Sequence, residues 1–352
     1  MTNVSFTTSI FAVMLADFQE TRFLFKHLSS RRLRNAWKLY RSFKNQNRFE
    51  TREHPMPVAL SIEPTTACNL GCPECPSGLK KFTRPTGHLK ENLLDNLLGE
   101  IGEDLIYLTF YFQGEPFIHP KMNELIAKAN QRGIFTATST NAHFINDKSA
   151  SAIVNSGLNR LIISIDGTTQ ETYSSYRKKG KLEKVISGTK TILAKRKELK
   201  SIFPRVYFQF LVVKPNEHQI GDVKKLGKEL GVDGVHFKTA QVYDYENGNA
   251  LIPTINKYAR YEEGKNGKWS IKNILDDQCW KMWHSAVVTW DGRVVPCCFD
   301  KDATHEMGQF GEESFKSIWR GEAYTNFRSA LLKSRSEIEI CKNCSEGTKV
   351  WA

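Results

Sequence analysis

Cys68-Asn69-Leu70-Gly71-Cys72-Pro73-Glu74-Cys75 sets three cysteines at spacing C-x3-C-x2-C, directly after the apolar run Val58-Ala59-Leu60-Ser61-Ile62. Three thiolates this close can wrap one face of a metal cluster while leaving one metal short of a protein ligand. Structural zinc sites and ordinary iron–sulfur electron carriers use four protein ligands and close the site. A set of three therefore points to an open coordination position, where chemistry takes place. The plainer alternative is a zinc site with a distant fourth ligand such as His88.

The stretch resembles the cluster loop of radical S-adenosylmethionine (SAM) enzymes. The resemblance implies that Cys68, Cys72 and Cys75 bind a [4Fe–4S] cluster whose fourth iron is chelated by the amino and carboxylate groups of SAM. It further implies reductive cleavage of SAM to methionine and a 5′-deoxyadenosyl radical. Glu74 departs from the pattern, since an aromatic residue often stands there.

Working outward, the chain from Pro57 on alternates short β-rich runs with helical patterns. Strands are predicted over 58–62, 106–112, 135–139, 161–165, 206–213 and 234–237. Helices are predicted between them over 121–132, 147–156, 182–198 and 217–230. This repetition implies a parallel sheet with helices outside. Six units are too few for a closed eight-stranded barrel, and they match the (β/α)6 partial TIM barrel of the family. The expected fold class is α/β: that partial barrel, an N-terminal helical segment and a small C-terminal cluster-binding domain. The expected boundaries are 1–54, 55–242, a linker or lid over 243–270, and 271–352.

Parallel α/β barrels place their chemistry at the C-terminal ends of the strands. Those ends here are polar or contain glycine: Gln113-Gly114-Glu115-Pro116, Thr140-Asn141, Asp166-Gly167 and Lys214-Pro215-Asn216. Several resemble family motifs. Gly114-Glu115-Pro116 resembles the element whose carboxylate takes the SAM ammonium group, a charge-assisted hydrogen bond. Ser139-Thr140-Asn141 and Ile163-Ser164-Ile165-Asp166-Gly167 resemble the third- and fourth-strand elements. Arg177 occupies the place of an arginine that faces the SAM carboxylate. The resemblance thus makes Gly114, Glu115, Asn141, Ser164 and Arg177 SAM-binding candidates. Gln209 joins them if the alternation Tyr207, Gln209, Leu211 faces inward. Taken singly, the Asn and Asp-Gly positions also suit turns. Arg84-Pro85-Thr86-Gly87 resembles an R-x-x-G element of enzymes that carry an extra C-terminal cluster domain, or is a plain turn.

Eight cysteines with C-x2-C pairs fit a reducing compartment and metal ligation better than a secreted disulfide framework. Cys279, Cys297, Cys341 and Cys344 form a second set. Residues 286–296 read as a β-hairpin turning at Asp291-Gly292, which brings Cys279 and Cys297 together. Cys341 and Cys344 complete four thiolates, a closed site. The arrangement looks like the SPASM/twitch domain, which implies one auxiliary [4Fe–4S] cluster; a four-cysteine zinc site is the alternative. Cys298 can replace Cys297, although the resemblance of Gly292-x4-Cys297 to the SPASM/twitch pattern favours Cys297.

The chain has 352 residues and a net charge of +12. Between Arg22 and Arg52 ten Lys or Arg residues face one acid, Glu50. Phe25, Leu28, Leu33, Trp37 and Tyr40 recur at near-helical spacing there, so a basic amphipathic helix or helix pair is expected. It is read either as packed on the catalytic domain through that apolar face, or as a membrane-surface or anionic contact. No run reaches the roughly 18–20 apolar residues of a membrane span, and residues 6–16 lack the flanks of a signal peptide. The chain is read as cytoplasmic, with Met14 an alternative start.

The function implied is hydrogen abstraction from a substrate C–H bond, in a net oxidation assisted by the auxiliary cluster. The substrate is a small hydroxylated metabolite or a peptide, in the latter case as a maturase of a ribosomally made peptide. An external one-electron donor such as flavodoxin or ferredoxin is implied. A nucleic-acid-binding protein with zinc or iron–sulfur sites is the distant alternative, because it leaves Glu115 and the ordered strand ends unexplained.

Overall fold

The computed structural model describes residues 17–46 and 54–347; residues 6–16, Met14 among them, lie outside. Six parallel strands lie side by side in chain order: β1 (Ala59–Ile62), β2 (Tyr107–Thr109), β3 (Phe135–Thr140), β4 (Arg160–Ser164), β5 (Arg205–Val212) and β6 (Gly234–Thr239). Helices Glu91–Ile101, Met122–Asn130, Asp147–Asn155, Leu182–Glu198 and Ile220–Leu230 connect them. The expected α/β partial barrel is therefore present. Strand β3, Phe-Thr-Ala-Thr-Ser-Thr, shows why alternation is faint in such a sheet. Five of its six residues are buried, because helices cover one face and the barrel interior the other.

Two features depart from the expected organisation. The segment read as a linker contains a small antiparallel hairpin, β7 (Tyr261–Glu263) with β8 (Trp269–Ile271). Buried Tyr261 anchors it: its hydroxyl accepts from Val242 N at 2.8 Å and donates to Asn343 Oδ1 at 2.7 Å. The C-terminal hairpin, β9 (Ser285–Val288) with β10 (Arg293–Val295), turns at Gly292 as expected. It is not a separate layer, however. β9 pairs in parallel with β1, Ala59 opposite Ser285, and β11 (Gly308–Gln309) follows β10, so one nine-stranded sheet runs β11-β10-β9-β1-β2-β3-β4-β5-β6. An uncovered edge of β1 would leave backbone donors and acceptors unpaired, and β9 satisfies them.

Helices Phe18–His27 and Ser30–Lys44 close the floor of the barrel, at the N-terminal ends of the strands. Asp17 caps the first, accepting from Gln19 N and Glu20 N, and also takes Arg205 Nε at 2.7 Å and the Tyr207 hydroxyl at 2.9 Å. Glu20 is buried and ion-paired with Arg160, at the start of β4. Arg32, buried, donates to the carbonyls of His27, Gly102, Arg132 and Gly133. Gly102 and Arg132 follow the ends of helices Glu91–Ile101 and Met122–Asn130, where a cation complements the helix dipole. No helix among the described residues is long and apolar enough to cross a membrane.

Burial alone would raise the Asp17 carboxyl, but the Glu20 N–H, the Arg205 guanidinium and the Tyr207 hydroxyl outweigh it and hold it below its ordinary 3.8. A depressed carboxylate contributes stability above its unfolded pKa and loses it as pH falls through the folded one. Asp17→Asn is accordingly expected to cost about 1–2 kcal/mol at neutral pH. In thermal melts the deficit should shrink once pH falls below 3.8.

Candidate functional site

Cys68, Cys72 and Cys75 follow β1 on a loop that short helix Pro76–Leu79 continues. Gly78 lets that helix press on the loop, since a Cβ there would lie 2.6 Å from Cys72 N. The three cysteines line one cavity of about 180 Å³ together with Gly114, Glu115, Asn141, Ser164, Tyr176, Arg177 and Leu211. The C-terminal ends of β1, β2, β3, β4 and β5 thus converge on the thiols. Five of the six candidate SAM-binding residues are brought together there. Gln209 is not among the lining residues; it sits two positions before Leu211 on β5, beside Ser164. His88 is also absent from the lining, its ring lying against that of His119.

Glu115 is buried, and its carboxylate accepts from Thr140 Oγ1 and Asn141 N, each at 2.7 Å. Burial raises its pKa, against the Asn141 N–H, the Thr140 hydroxyl, the Phe117 N–H and Arg177. Gly114 makes this placement possible. Its φ is +77°, and a Cβ would lie 2.2 Å from Thr65 O. Gly114→Ala is expected to lower stability by at least about 2 kcal/mol, read from chemical denaturation, because strain and a backbone clash add.

Arg177 Nε pairs with buried Asp166, and its Nη1 lies 3.8 Å from Cys72 Sγ. The expected SAM-facing arginine is therefore oriented by Asp166, whose other oxygen accepts Leu211 N at 2.7 Å. The cavity offers a carboxylate and a guanidinium beside three thiols, the charges that an amino acid's ammonium and carboxylate groups require. Burial pushes the Cys68 thiol up to about 12 and raises that of Cys72 as well. A metal cluster held by these thiols would displace their protons, since the thiolate is the ligand.

The second set also converges. Cys279, Cys297, Cys341 and Cys344 line a small closed cavity with Met282, Phe299, Leu331 and Arg335. Cys298 is exposed and points elsewhere. Gly347 closes over the set, since a Cβ on it would meet Cys279 Sγ at 2.3 Å. Arg335, buried, donates to Cys344 Sγ at 3.3 Å, which suits a site that carries thiolate charge. Among the described residues no three His, Cys, Asp or Glu groups are set for one bare metal ion.

A third cavity, of about 540 Å³, lies between the two sets. Tyr111 and Phe112 line it and the first cavity alike; Cys297, Lys281 and Glu346 line it and the second. Lys281 and Glu346 pair at 3.3 Å. His284, stacked on Trp280, is held down at about 4 by burial, so its ring is neutral near pH 7. Cys298, Thr109 and Asn273 also line the cavity. Lys281, His284 and Glu346 escaped the sequence reading. Lys281 and His284 follow Cys279 on one short helix, and no periodicity marks them as facing a cavity. His119 is excluded from such a role, because Leu89 O and Lys121 N occupy both its ring nitrogens.

Comparison with known proteins agrees with this geometry. The family model of the radical SAM superfamily matches residues 62–237, and that of an iron–sulfur cluster-binding domain, SPASM, matches residues 279–345. The chain is 24% identical over 324 residues to the tungsten-containing aldehyde ferredoxin oxidoreductase cofactor-modifying protein of Pyrococcus furiosus, covering 81% of this chain and 86% of that one. It is 23% identical over 317 residues to the PqqA peptide cyclase of Bradyrhizobium diazoefficiens, covering 82% and 79%. Among solved structures, Streptococcus suis SuiB bound to S-adenosylmethionine superposes with a TM-score of 0.62 at 16% identity, covering 90% of this chain and 77% of SuiB. BtrN in complex with AdoMet and 2-DOIA superposes with a TM-score of 0.52 at 19% identity, covering 85% and 96%.

Proposed function

The chain belongs to the radical SAM superfamily and carries a SPASM domain, and from that premise we propose that it abstracts hydrogen from a C–H bond of a substrate held between its two cysteine sites. When bound, the cluster and SAM supply the electron and the 5′-deoxyadenosyl radical for that step. Cys68, Cys72 and Cys75 hold the first [4Fe–4S] cluster. Glu115 takes the SAM ammonium group, and Arg177, fixed by Asp166, takes its carboxylate. Gly114, Asn141 and Ser164 shape the walls around them. Cys279, Cys297, Cys341 and Cys344 hold an auxiliary [4Fe–4S] cluster. The reaction is a net oxidation, a dehydrogenation or a bond formation, with electrons supplied to SAM by a flavodoxin- or ferredoxin-like donor.

The observation that carries this reading is the cavity of about 540 Å³ that shares Tyr111 and Phe112 with one site and Cys297 with the other. A substrate there meets both sites at once, which positions it for oxidation. Gln209 lines neither the first cavity nor the 540 Å³ space, and it takes no part in this reading. A peptide is favoured over a small metabolite by the open side of the barrel. His236 and Lys238, opposite Gln209 and Leu211 on the last strand, are exposed, which leaves that edge of the barrel open to solvent. Two similar proteins carry names that speak of modifying a cofactor and cyclising a peptide.

The test is anaerobic reconstitution, with iron and sulfide counted and 5′-deoxyadenosine assayed after SAM and dithionite are added. About eight irons per chain with deoxyadenosine formation is the expected result. About four irons with cleavage would remove the auxiliary cluster and the oxidative reading. Zinc at both sites without cleavage would overturn the enzyme reading.

A further inference from the structure

The two floor helices pack on the barrel but leave part of their predicted apolar stripe in solvent. Facing inward are Glu20, Arg32, Ala36, Leu39 and Phe43, the last packed on Trp280 and Trp283. Facing outward are Phe18, 75% exposed, and three residues of the predicted apolar stripe, Phe25 at 56%, Leu33 at 47% and Trp37 at 45%; Leu28 is half-buried and Tyr40 packs against the core. Exposed cations share that side. On helix Phe18–His27, Arg22 and Lys26 stand one turn beyond Phe18 and Arg22 respectively; on helix Ser30–Lys44, Arg34, Lys38, Arg41 and Lys44 interleave with Leu33 and Trp37. None of these six cations has a carboxylate partner among the described residues, whereas inward Arg32 and flanking Arg31 are both engaged.

We propose that this outward face docks the protein on an anionic lipid surface. Unpaired cations give charge complementarity to acidic headgroups. Phe and Leu side chains beside them enter the acyl boundary, and Trp is enriched at that depth. A second copy of the chain is a poor occupant, because two such faces would oppose like charges. A nucleic-acid duplex would use the cations but leave Phe18, Phe25 and Leu33 exposed to water. The helices cover the N-terminal ends of the strands, and the cavity of Cys68, Cys72 and Cys75 lies at the other end. Docking therefore holds the protein at a surface while its mouth faces the water.

The test is co-sedimentation of the reconstituted full chain with vesicles of phosphatidylcholine, with and without phosphatidylglycerol. The native chain should bind the anionic vesicles, and bind more weakly as salt rises. Arg22→Gln/Arg34→Gln/Arg41→Gln should lower partitioning about 100-fold, the effect of removing three surface-attracted cations. Phe18→Ser/Phe25→Ser/Leu33→Ser should lower it by at least about tenfold. Both variants alter exposed positions, and circular dichroism will confirm their fold. No binding by the native chain would overturn the proposal. So would native-like binding by the Phe/Leu variant, or tighter binding to duplex DNA than to anionic vesicles, since either would make the face a general polyanion surface.

Discussion

Reconstituted anaerobically, Cys72→Ala is expected to hold about half the iron of the native chain and to form no 5′-deoxyadenosine above background. Cys72 lines the first cavity with Cys68 and Cys75, and it is the thiol nearest Arg177. With only two cysteines left in that cavity, no other described cysteine can replace it: the remaining five belong to the far side of the 540 Å³ space. The auxiliary set is untouched, so the iron that remains should be its own. A companion pair of variants separates two adjacent thiols. Cys297→Ala should lose the other half of the iron. Cys298→Ala should retain all of it, because the Cys298 side chain faces the large cavity. Full iron in Cys297→Ala with loss in Cys298→Ala would reverse that assignment. Iron analysis reports this even if a variant is inactive for another reason.

The largest effect on stability is expected from Arg84→Met. Arg84 and Glu63 form a bidentate pair with N–O distances of 2.8 and 2.6 Å, their side chains 1% and 0% exposed. Glu63 follows β1, and its Oε2 also accepts Trp290 N, in the turn of the C-terminal hairpin. Arg84 stacks over Phe82 and approaches Lys301 O. Gly87 gives the Trp290 ring its space, since a Cβ there would lie 2.6 Å from the indole. The Arg84-Pro85-Thr86-Gly87 stretch is thus no plain turn: it bolts the segment after the cluster loop to the C-terminal domain. Removing the guanidinium leaves a buried carboxylate without its cation, a loss of about 3–5 kcal/mol. The melting temperature should fall by roughly 5–10 °C. Arg84→Lys should recover little, because an ammonium cannot span both oxygens. Glu63→Leu/Arg84→Met should recover most of the loss, because the buried charge goes with its partner. Equal melting of Arg84→Met and the double variant would show that the pair is not what holds this junction.

Much of the site was legible because its chemistry depends on residue type at short spacing. Cys68, Cys72 and Cys75 belong to one loop, and Glu115, Asn141 and Ser164 each sit at the end of a strand whose direction the β/α alternation sets. Parallel connectivity then forces those ends together, so sequence order carried spatial information. The closed four-cysteine set was legible for a related reason, since a hairpin turning at Asp291-Gly292 must bring its ends side by side. Gln209 marks the limit. Alternation assigned it to the barrel-facing side of β5, but depth along the strand depends on how adjacent strands are staggered, and the cavity begins at Leu211.

The N-terminal helices show the opposite case. Phe25, Leu33 and Trp37 have a helical period, and periodicity cannot distinguish a stripe that faces a core from one that faces a different solvent. The barrel floor presents Arg160, Arg205, Tyr207 and the carbonyl ends of two helices, all polar groups that need partners. Asp17, Glu20 and Arg32 meet that need beside Ala36, Leu39 and Phe43, which leaves Phe25, Leu33 and Trp37 in solvent.

By itself, then, the sequence determined the α/β class, the strand order, the two thiol sets and the carboxylate beside the first, because local spacing and chain direction suffice for these. Only the tertiary structure decided that β9 completes the sheet against β1, that Lys281 and His284 face the space between the two sites, that Arg84 is buried on Glu63, and which face of the N-terminal helices meets solvent. Each of these rests on partners far apart in the chain, and their pairing is settled by the desolvation of buried polar groups, which no local pattern encodes.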